Sequence, residues 1–408
     1  MSVMASPQPQ AIVPFTAAAL RYREKIWTKQ WTMTAAAQDL SPPGGAIKSY
    51  GYLRTLELLV TTVTPGTSGG SPAFGSADGP WSFFSQVIVT QPNGEEMFGG
   101  PTFTGYHAYL ASVHQGWRLN NAPYTLPSFS QTSVLAPQFV LPLTFEMDAE
   151  HGLGALPNQD FSAPWKLTVT GAGQAVGANN GPVYQTAPTT TNPTLQLDVF
   201  MTCWTVPSPV NPLNPSVGQE TTPALLGTLN KWSLQQYTVP ASSAFNVLLQ
   251  RKGNAIRNFV FVIRNSSGVR LATTIFPNPF NMKWDGTVIK ANDSPTLIVD
   301  DEYHTRGGVA TGAPASATGP VSDTGVISVQ MSDVCGIDVQ GAAEAYGMNA
   351  FWGTVQSSTI EIGGTWGAAA ATLEVLTNDV QFVDLAGNPY AFAYGGYLQA
   401  PAQPKALP

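Results

Sequence analysis

Apolar and polar positions alternate with a period of two along most of this chain, the spacing of strands buried on one face. Trp165-Lys166-Leu167-Thr168-Val169-Thr170 alternates cleanly, and Thr194-Leu195-Gln196-Leu197-Asp198-Val199-Phe200 does the same. Tyr52 to Val60 alternates in part and then ends at Pro65-Gly66, and Phe83 to Val89 ends in the turn signal Gln91-Pro92-Asn93-Gly94. Phe139 to Phe145 reads as a further strand whose Pro142 places it at an edge or a bulge. In the second half the pattern predicts strands at Trp232–Val239, Phe245–Leu249, Asn258–Arg264, Thr287–Ala291, Thr296–Val299, Val326–Met331, Thr354–Ile362 and Thr372–Phe382. Turns such as Ser267-Gly268 and Asp285-Gly286 separate them. One segment departs from the period: Tyr106, Tyr109, Leu110 and Val113 recur at helical spacing and predict a short helix within Thr104–Gln115.

The pattern is told twice. An aromatic and basic strand, Lys25 to Met33, has its counterpart at Asn230 to Val239. A basic-then-apolar strand follows in each half, from Ile47-Lys48-Ser49-Tyr50 to Val63 and from Ala255-Ile256-Arg257-Asn258 to Ile263. A polar turn precedes a tryptophan late in each half, at Leu156–Gln159 before Trp165 and at Tyr346–Asn349 before Trp352. Each half closes on an alternating strand, Thr194–Phe200 and Thr372–Leu376. A repeat of about 180 residues is far too long for a solenoid and points to two similar β domains.

These signals divide the chain into an N-terminal arm at 1–24, a first domain at 25–206, a proline-rich linker at 207–227, a second domain at 228–385 and a C-terminal tail at 386–408. The arm is irregular to Phe15, with helix expected over Thr16–Glu24 where Ala and Leu favour it. The linker, with Pro207, Pro209, Pro212 and Pro215, is expected to be semi-rigid and extended. Gly171–Pro193 and Thr305–Thr324, rich in Gly, Ala, Thr and Pro, read as surface loops without core-forming residues. Eight short strands per half is what an eight-stranded jelly roll requires, so the expected fold is all-β, two jelly rolls in tandem with few short helices.

Composition narrows the functional classes. Only 11% of residues are charged, against about 25% in an ordinary soluble domain. Ten Trp, thirteen Tyr and nineteen Phe exclude general disorder. Low charge with many aromatics suits extensive burial against partner subunits. The net charge of −7 is spread over both halves, and no basic block extends beyond Arg21-Tyr22-Arg23-Glu24-Lys25, so no direct binding of nucleic acid is expected. Cys203 and Cys335, far apart in sequence, read as buried free thiols. No run of about 18 apolar residues marks a membrane span. The N-terminus lacks the basic start of a signal peptide, which predicts synthesis in the cytoplasm.

Candidate chemistry is sparse. His107, His114, His151 and His304 are scattered, and Asp148-Ala149-Glu150-His151 reads as a surface turn. Asp300, Asp301 and Glu302, with His304 near them, are a weak candidate for a cation but lack the glycine-spaced loop of a calcium site. The glycine-rich run Gly66-Thr67-Ser68-Gly69-Gly70 lacks the Lys-Ser/Thr of a phosphate-binding loop, and neither a catalytic residue nor a cofactor is expected.

In its duplicated β pattern, its Val206–Pro215 joint, its short arm and its length, the chain from Arg21 to Leu385 resembles the double jelly-roll major capsid proteins of tailless, membrane-containing icosahedral bacteriophages, the tectivirus-like lineage. The resemblance implies a virion location, homotrimeric capsomers of pseudo-hexagonal outline, separate vertex and minor capsid proteins, and an internal lipid membrane. Leu20, Arg21, Tyr22, Arg23 and Lys25 combine apolar and basic side chains suited to a membrane surface or a neighbouring subunit. Two other readings stay open: a phage tail or receptor-binding protein, and a two-domain carbohydrate-active enzyme using Trp117, Trp165 or Trp366 to stack on sugars.

Overall fold

The computed structural model describes residues 12–67, 78–100, 102–114, 134–135, 137–147, 152–178, 183–184, 191–223, 226–241, 244–250, 255–271, 276–298, 325–330, 352–353, 359–366 and 370–381. The chain opens with β1 (Ile12–Val13) and one helical turn, α1 (Phe15–Ala18). The first half then runs through β2 (Arg21–Thr32), β3 (Gln38–Asp39), β4 (Tyr52–Thr64), β5 (Gly66–Thr67), β6 (Phe84–Thr90) and β7 (Glu96–Gly99). After α2 (Gly105–Val113) come β8 (Val134–Leu135), β9 (Phe139–Thr144), β10 (Leu156–Pro157), β11 (Lys166–Gly171) and β12 (Thr194–Trp204). A hairpin of β13 (Val210–Asn211) and β14 (Asn214–Gln219) leads to the second half. There follow β15 (Leu229–Val239), β16 (Ala244–Leu248), β17 (Ala255–Asn265), β18 (Phe280–Trp284) and β19 (Thr287–Asp293). The last strands are β20 (Val326–Gln330), β21 (Trp352–Gly353), β22 (Ile360–Thr365) and β23 (Ala371–Gln381).

Each half is a jelly roll, and the strand order is the same in both. In the first, the order β2-β12-β4-β9 faces the order β3-β11-β6-β7; in the second, β15-β23-β17-β20 faces β16-β22-β18-β19. Taken in chain order, the eight principal strands of each roll occupy the same eight places. The short strands β10 and β21 are also equivalent, since each pairs with the start of the third long strand, β4 or β17.

Register gives a residue-by-residue match. Strand β4 bulges at Arg54, between Leu53 paired with Cys203 and Thr55 paired with Thr202. Strand β17 bulges at Arg257, between Ile256 paired with Asp379 and Asn258 paired with Asn378. Arg54 therefore matches Arg257, and both are buried. The repeat seen in sequence is right for the strands and shifted in detail: Arg54, not Lys48, is the basic counterpart of Arg257. Likewise Trp352 lies in β21, the counterpart of β10, and does not match Trp165, which stands before β11.

The two rolls share a sheet. Strand β7 of the first pairs in parallel with β15 of the second, Trp232 opposite Phe98 and Ser233 opposite Gly99. Because that pairing is parallel, the rolls stand the same way up. At one end, here called the base, β2, β4, β15 and β17 begin and β12 and β23 finish. The β6–β7 turn at 91–95 and the β18–β19 turn at Asp285-Gly286 also lie at the base, while β4, β7, β17 and β19 run away from it.

Several expectations are corrected. Helix in the arm is confined to Phe15–Ala18, and strand begins already at Arg21, because pairing with β12 outweighs the helical leaning of Ala and Leu. The linker is a hairpin: the Asn211 and Asn214 carboxamides accept the N–H groups of Leu213 and Ser216, and β1 adds alongside β14 in parallel. Of the expected strand Thr296–Val299, the described residues 296–298 belong instead to a helical turn at 295–298, whose Ser294 hydroxyl accepts the Leu297 N–H and whose first helical position is Pro295. Strand β4 starts only after Gly51, whose φ of 52° and close approach to the Trp204 carbonyl admit no side chain.

The Gly171–Pro193 connection is not only surface. Val183 and Tyr184 are buried in the first core, held by Gln174, whose Oε1 accepts both their N–H groups and whose Nε2 donates to the Ala178 and Tyr184 carbonyls. Thr305–Thr324 lies outside the described residues. Helix α2, Pro142 at an edge position of β9, and buried free Cys203 all agree with expectation, the thiol being pushed up to about 12 by burial. Cys335 is outside the described residues. Among the described residues no helix is long and apolar enough to cross a membrane.

Tyr184 anchors an otherwise small-residue connection against Phe83. Tyr184→Ala should lower the unfolding free energy by about 3 kcal/mol in urea titration, the cost of an aromatic cavity. An effect under about 1 kcal/mol would show that the connection does not contribute to the core.

Candidate assembly site at the joint between the rolls

Strand β17 carries the run Phe259-Val260-Phe261-Val262-Ile263, apolar on both faces as a doubly covered strand must be. Phe259, Phe261 and Ile263 enter the core of the second roll, whereas Val260 and Val262 join Trp232, Leu234 and Leu376 against the first roll. The covering element is α2, every residue of which is buried. Its Tyr109 stacks on Trp81 with ring centroids 3.6 Å apart.

Into this apolar contact the chain places charge. Arg264 Nε donates to Glu374 Oε2 at 2.7 Å, and its Nη1 donates to Asp78 Oδ2 at 2.7 Å and to the Gly268 carbonyl. Arg270 Nε donates to Asp78 Oδ1 at 2.6 Å, and its guanidinium lies 4.6 Å from the centre of the Tyr106 ring. Asp78 and His107 belong to the first roll; Arg264, Arg270 and Glu374 belong to the second. All five are buried.

His107 caps its own helix. The Thr104 N–H donates to Nδ1 at 3.0 Å, so Nε2 carries the proton and donates to Glu374 Oε2, also at 3.0 Å. Burial alone would raise the Glu374 carboxyl, but the His107 hydrogen bond and the Arg264 guanidinium outweigh it and bring it from the ordinary 4.5 to about 2. Arg264 is disfavoured by burial yet held above its usual range by Asp78 and Glu374. Further bonds cross the joint: Gln236 Nε2 reaches Thr102, Asn258 Nδ2 reaches the His114 carbonyl, and Lys231 Nζ binds Glu95.

The matching face of the first roll is open. Thr28 Oγ1 donates to Asp198 Oδ1 at 2.6 Å, the counterpart of the Gln236 bond to Glu374. On that face Arg23 pairs with Glu57 and lies over Phe200, the counterpart of Leu376, and Lys25 pairs with Asp198. The face is half-buried and amphipathic where its counterpart is covered and apolar.

At the base of the same roll, Arg54 and Trp204 both donate to Glu146, whose carboxyl burial pushes up in spite of them. Phe15 plugs onto Trp204 and Tyr52, and its N–H donates to Glu220 of the linker. The predicted contact residues lie beside this plug: Leu20 is 72% exposed, and Arg21, Tyr22, Arg23 and Lys25 form the start of strand β2. Trp165 and Trp366 are buried and cannot stack on a sugar. Trp117, Asp148, Glu150, His151, Asp300, Asp301, Glu302 and His304 lie outside the described residues. Among the described residues no cluster of His, Cys, Asp and Glu could hold a metal ion. Sequence reading missed the ionic cluster, whose partners are separated by up to 267 residues; the one signal was charge within the apolar strands β17 and β23.

No protein-family model matches this chain, and no curated protein matches its sequence. Solved structures do match by shape. The major capsid protein of STIV superposes with a TM-score of 0.53 at 12% identity, covering 88% of this chain and 96% of that one. The same figures for score, identity and coverage of this chain hold against the Sulfolobus Turreted Icosahedral Virus particle structure, with 90% of that chain covered. A chain of the PBCV-1 virus capsid gives 0.54 at 11% identity, covering 96% and 100%.

Glu374 supplies the pH dependence of the joint. Its folded value lies below its unfolded one, so its stabilisation is complete above about 4.5 and is lost as pH falls towards 2, worth about 3 kcal/mol. Glu146, shifted the other way, contributes with opposite sign over the acid range. Subtracting the stability profile of Glu374→Gln from that of the parent should therefore leave a difference that shrinks as pH falls from 4.5 to 2. A pH-independent difference would contradict the assignment.

The two rolls, their shared strand order and these superpositions establish the chain as a double jelly roll, the fold of the viral coat proteins it matches.

Proposed function

We propose that this chain is a major capsid protein that self-associates into trimers and tiles an icosahedral shell. The observation that carries the reading is the contrast between the covered face of the second roll and the open, matching face of the first. One half of a domain contact is used within the chain, and the other half is left for another copy. Such head-to-tail contacts close into a ring when the rotation allows it. Three chains then offer six upright rolls, which approximates a hexagonal tile. The fold shared with the STIV and PBCV-1 coat proteins supports the same conclusion.

On this reading the partners are further copies, together with vertex and minor capsid proteins, and the place of action is the virion. Leu20, Arg21, Tyr22, Arg23 and Lys25 lie at the base, where both rolls bring their chain ends. Their exposed apolar and basic side chains suit an internal lipid membrane or a neighbouring tile.

Native mass spectrometry and sizing at high concentration should show a trimer burying well over the ~1,600 Å² of a standard interface. Phe200→Asp, on the open face, should give a folded monomer with unchanged circular dichroism. A parent chain that stays monomeric at all concentrations would overturn the proposal.

A further inference from the structure

The joint inside the chain is made by two strand edges as well as by two faces. Strand β7, the last of its sheet, pairs with β15, the first of the next, and both are buried there: Met97 and Phe98 on one side, Trp232 on the other. The equivalent edges of the chain have no such neighbour among the described residues. Strand β19 occupies the place of β7 and ends its sheet, with Val288 50% exposed. Strand β2 occupies the place of β15 and ends its own, over twelve residues. Long open edges invite pairing with another chain unless bulges, charge or cover prevent it.

Three further features of the joint recur at these edges. A helix follows the edge strand in each roll, α2 after its Thr104 cap and the turn at 295–298 after its Ser294 cap; Leu297 on the latter is 61% exposed. An acid sits at the base turn before each edge strand, Glu95 in one roll and Asp285 in the other. A base sits near the start of each receiving strand, Lys231 in β15 and Arg21, Arg23 and Lys25 in β2. Within the chain Lys231 binds Glu95. Direction also agrees, since β19 and β2 both run away from the base, as β7 and β15 do.

We infer that β19 of one copy pairs in parallel with β2 of the next, joining the sheets of successive chains as β7 and β15 join the two rolls within one. This rests on the self-association proposed above and specifies its backbone. The shell tile is then bounded by sheets that pass from chain to chain, and the open edges are assembly elements. By register, Arg23 and Glu24 are the counterparts of Trp232 and Ser233, so the contact centres on the first third of β2.

The test is disulfide trapping in the full chain with Cys203 and Cys335 replaced by alanine. Arg23→Cys is combined in turn with Val288→Cys, Ile289→Cys and Ala291→Cys, and each sample is oxidised at trimer-forming concentration. At least one pair should yield covalent dimers and trimers that need both cysteines. Trimers by native mass spectrometry without a crosslink from any pair would overturn the strand pairing and leave trimeric assembly standing. Crosslinks from Val288→Cys alone would indicate a two-fold β19–β19 contact and also overturn it. A monomeric parent would overturn both. As an independent check, Ile289→Pro and Ala291→Pro each change the edge without touching β2. At least one should abolish trimers while leaving the circular dichroism of the monomer unchanged; if both variants trimerise as the parent does, β19 is not the contact.

Discussion

The central strands β23 and β17 of the sheet β15-β23-β17-β20 are buried on both of their faces, and the rest of the molecule is arranged around that constraint. One face closes the second roll; the other must be closed by something outside it. Helix α2 and the edge of β7 do this, and in doing so turn two domains into one body. A doubly covered sheet has no solvent to satisfy its polar groups, which is why the charged residues at the joint come as a matched set. Asp78 and Glu374 balance Arg264 and Arg270, and His107 enters as a donor through Nε2 because its other nitrogen is committed to the helix cap. An unmatched charge there would cost several kcal/mol.

Comparing equivalent positions shows how one scaffold supplies a permanent contact and an open one. Arg54 and Arg257 keep the same bulge, so the backbone is held constant. What differs is the outward row of the central strands: Leu376 against Phe200, Glu374 against Asp198, Gln236 against Thr28. On the covered face the acid is met by a buried arginine, on the open face by Lys25, a solvated and less demanding partner. A face that meets water before it meets protein needs such polarity for solubility.

Much of the fold was legible because period-two alternation reports a half-buried strand directly, and β4, β6, β11, β12, β15 and β23 are long enough to show it. The two-residue β3 has no period to detect. The helical turn at 295–298 was misread because Thr296 to Val299 looks apolar and β-branched, while its cap, Ser294-Pro295, is a two-residue signal. Tyr184 was hidden in a stretch of small residues, and its burial depends on Gln174, ten residues away, folding back on it. The site was less legible than the fold. Its ion pairs span both domains, and no local pattern links Asp78 to Arg264 or His107 to Glu374. Only the presence of charge inside otherwise apolar strands marked the place.

The parallel join of β7 to β15 has one more consequence, for the chain as a carrier. With both rolls upright, the segment entering at Ile12 and the strand ending at Gln381 reach the same end of the molecule, while the chain leaves β19 and returns at β20 on the opposite end. A peptide joined directly after β19 and one joined directly after Gln381 would therefore leave the sheets on opposite sides of any layer these molecules form. Cargo and address can be given to the two sides independently, with the sheets between them left unaltered.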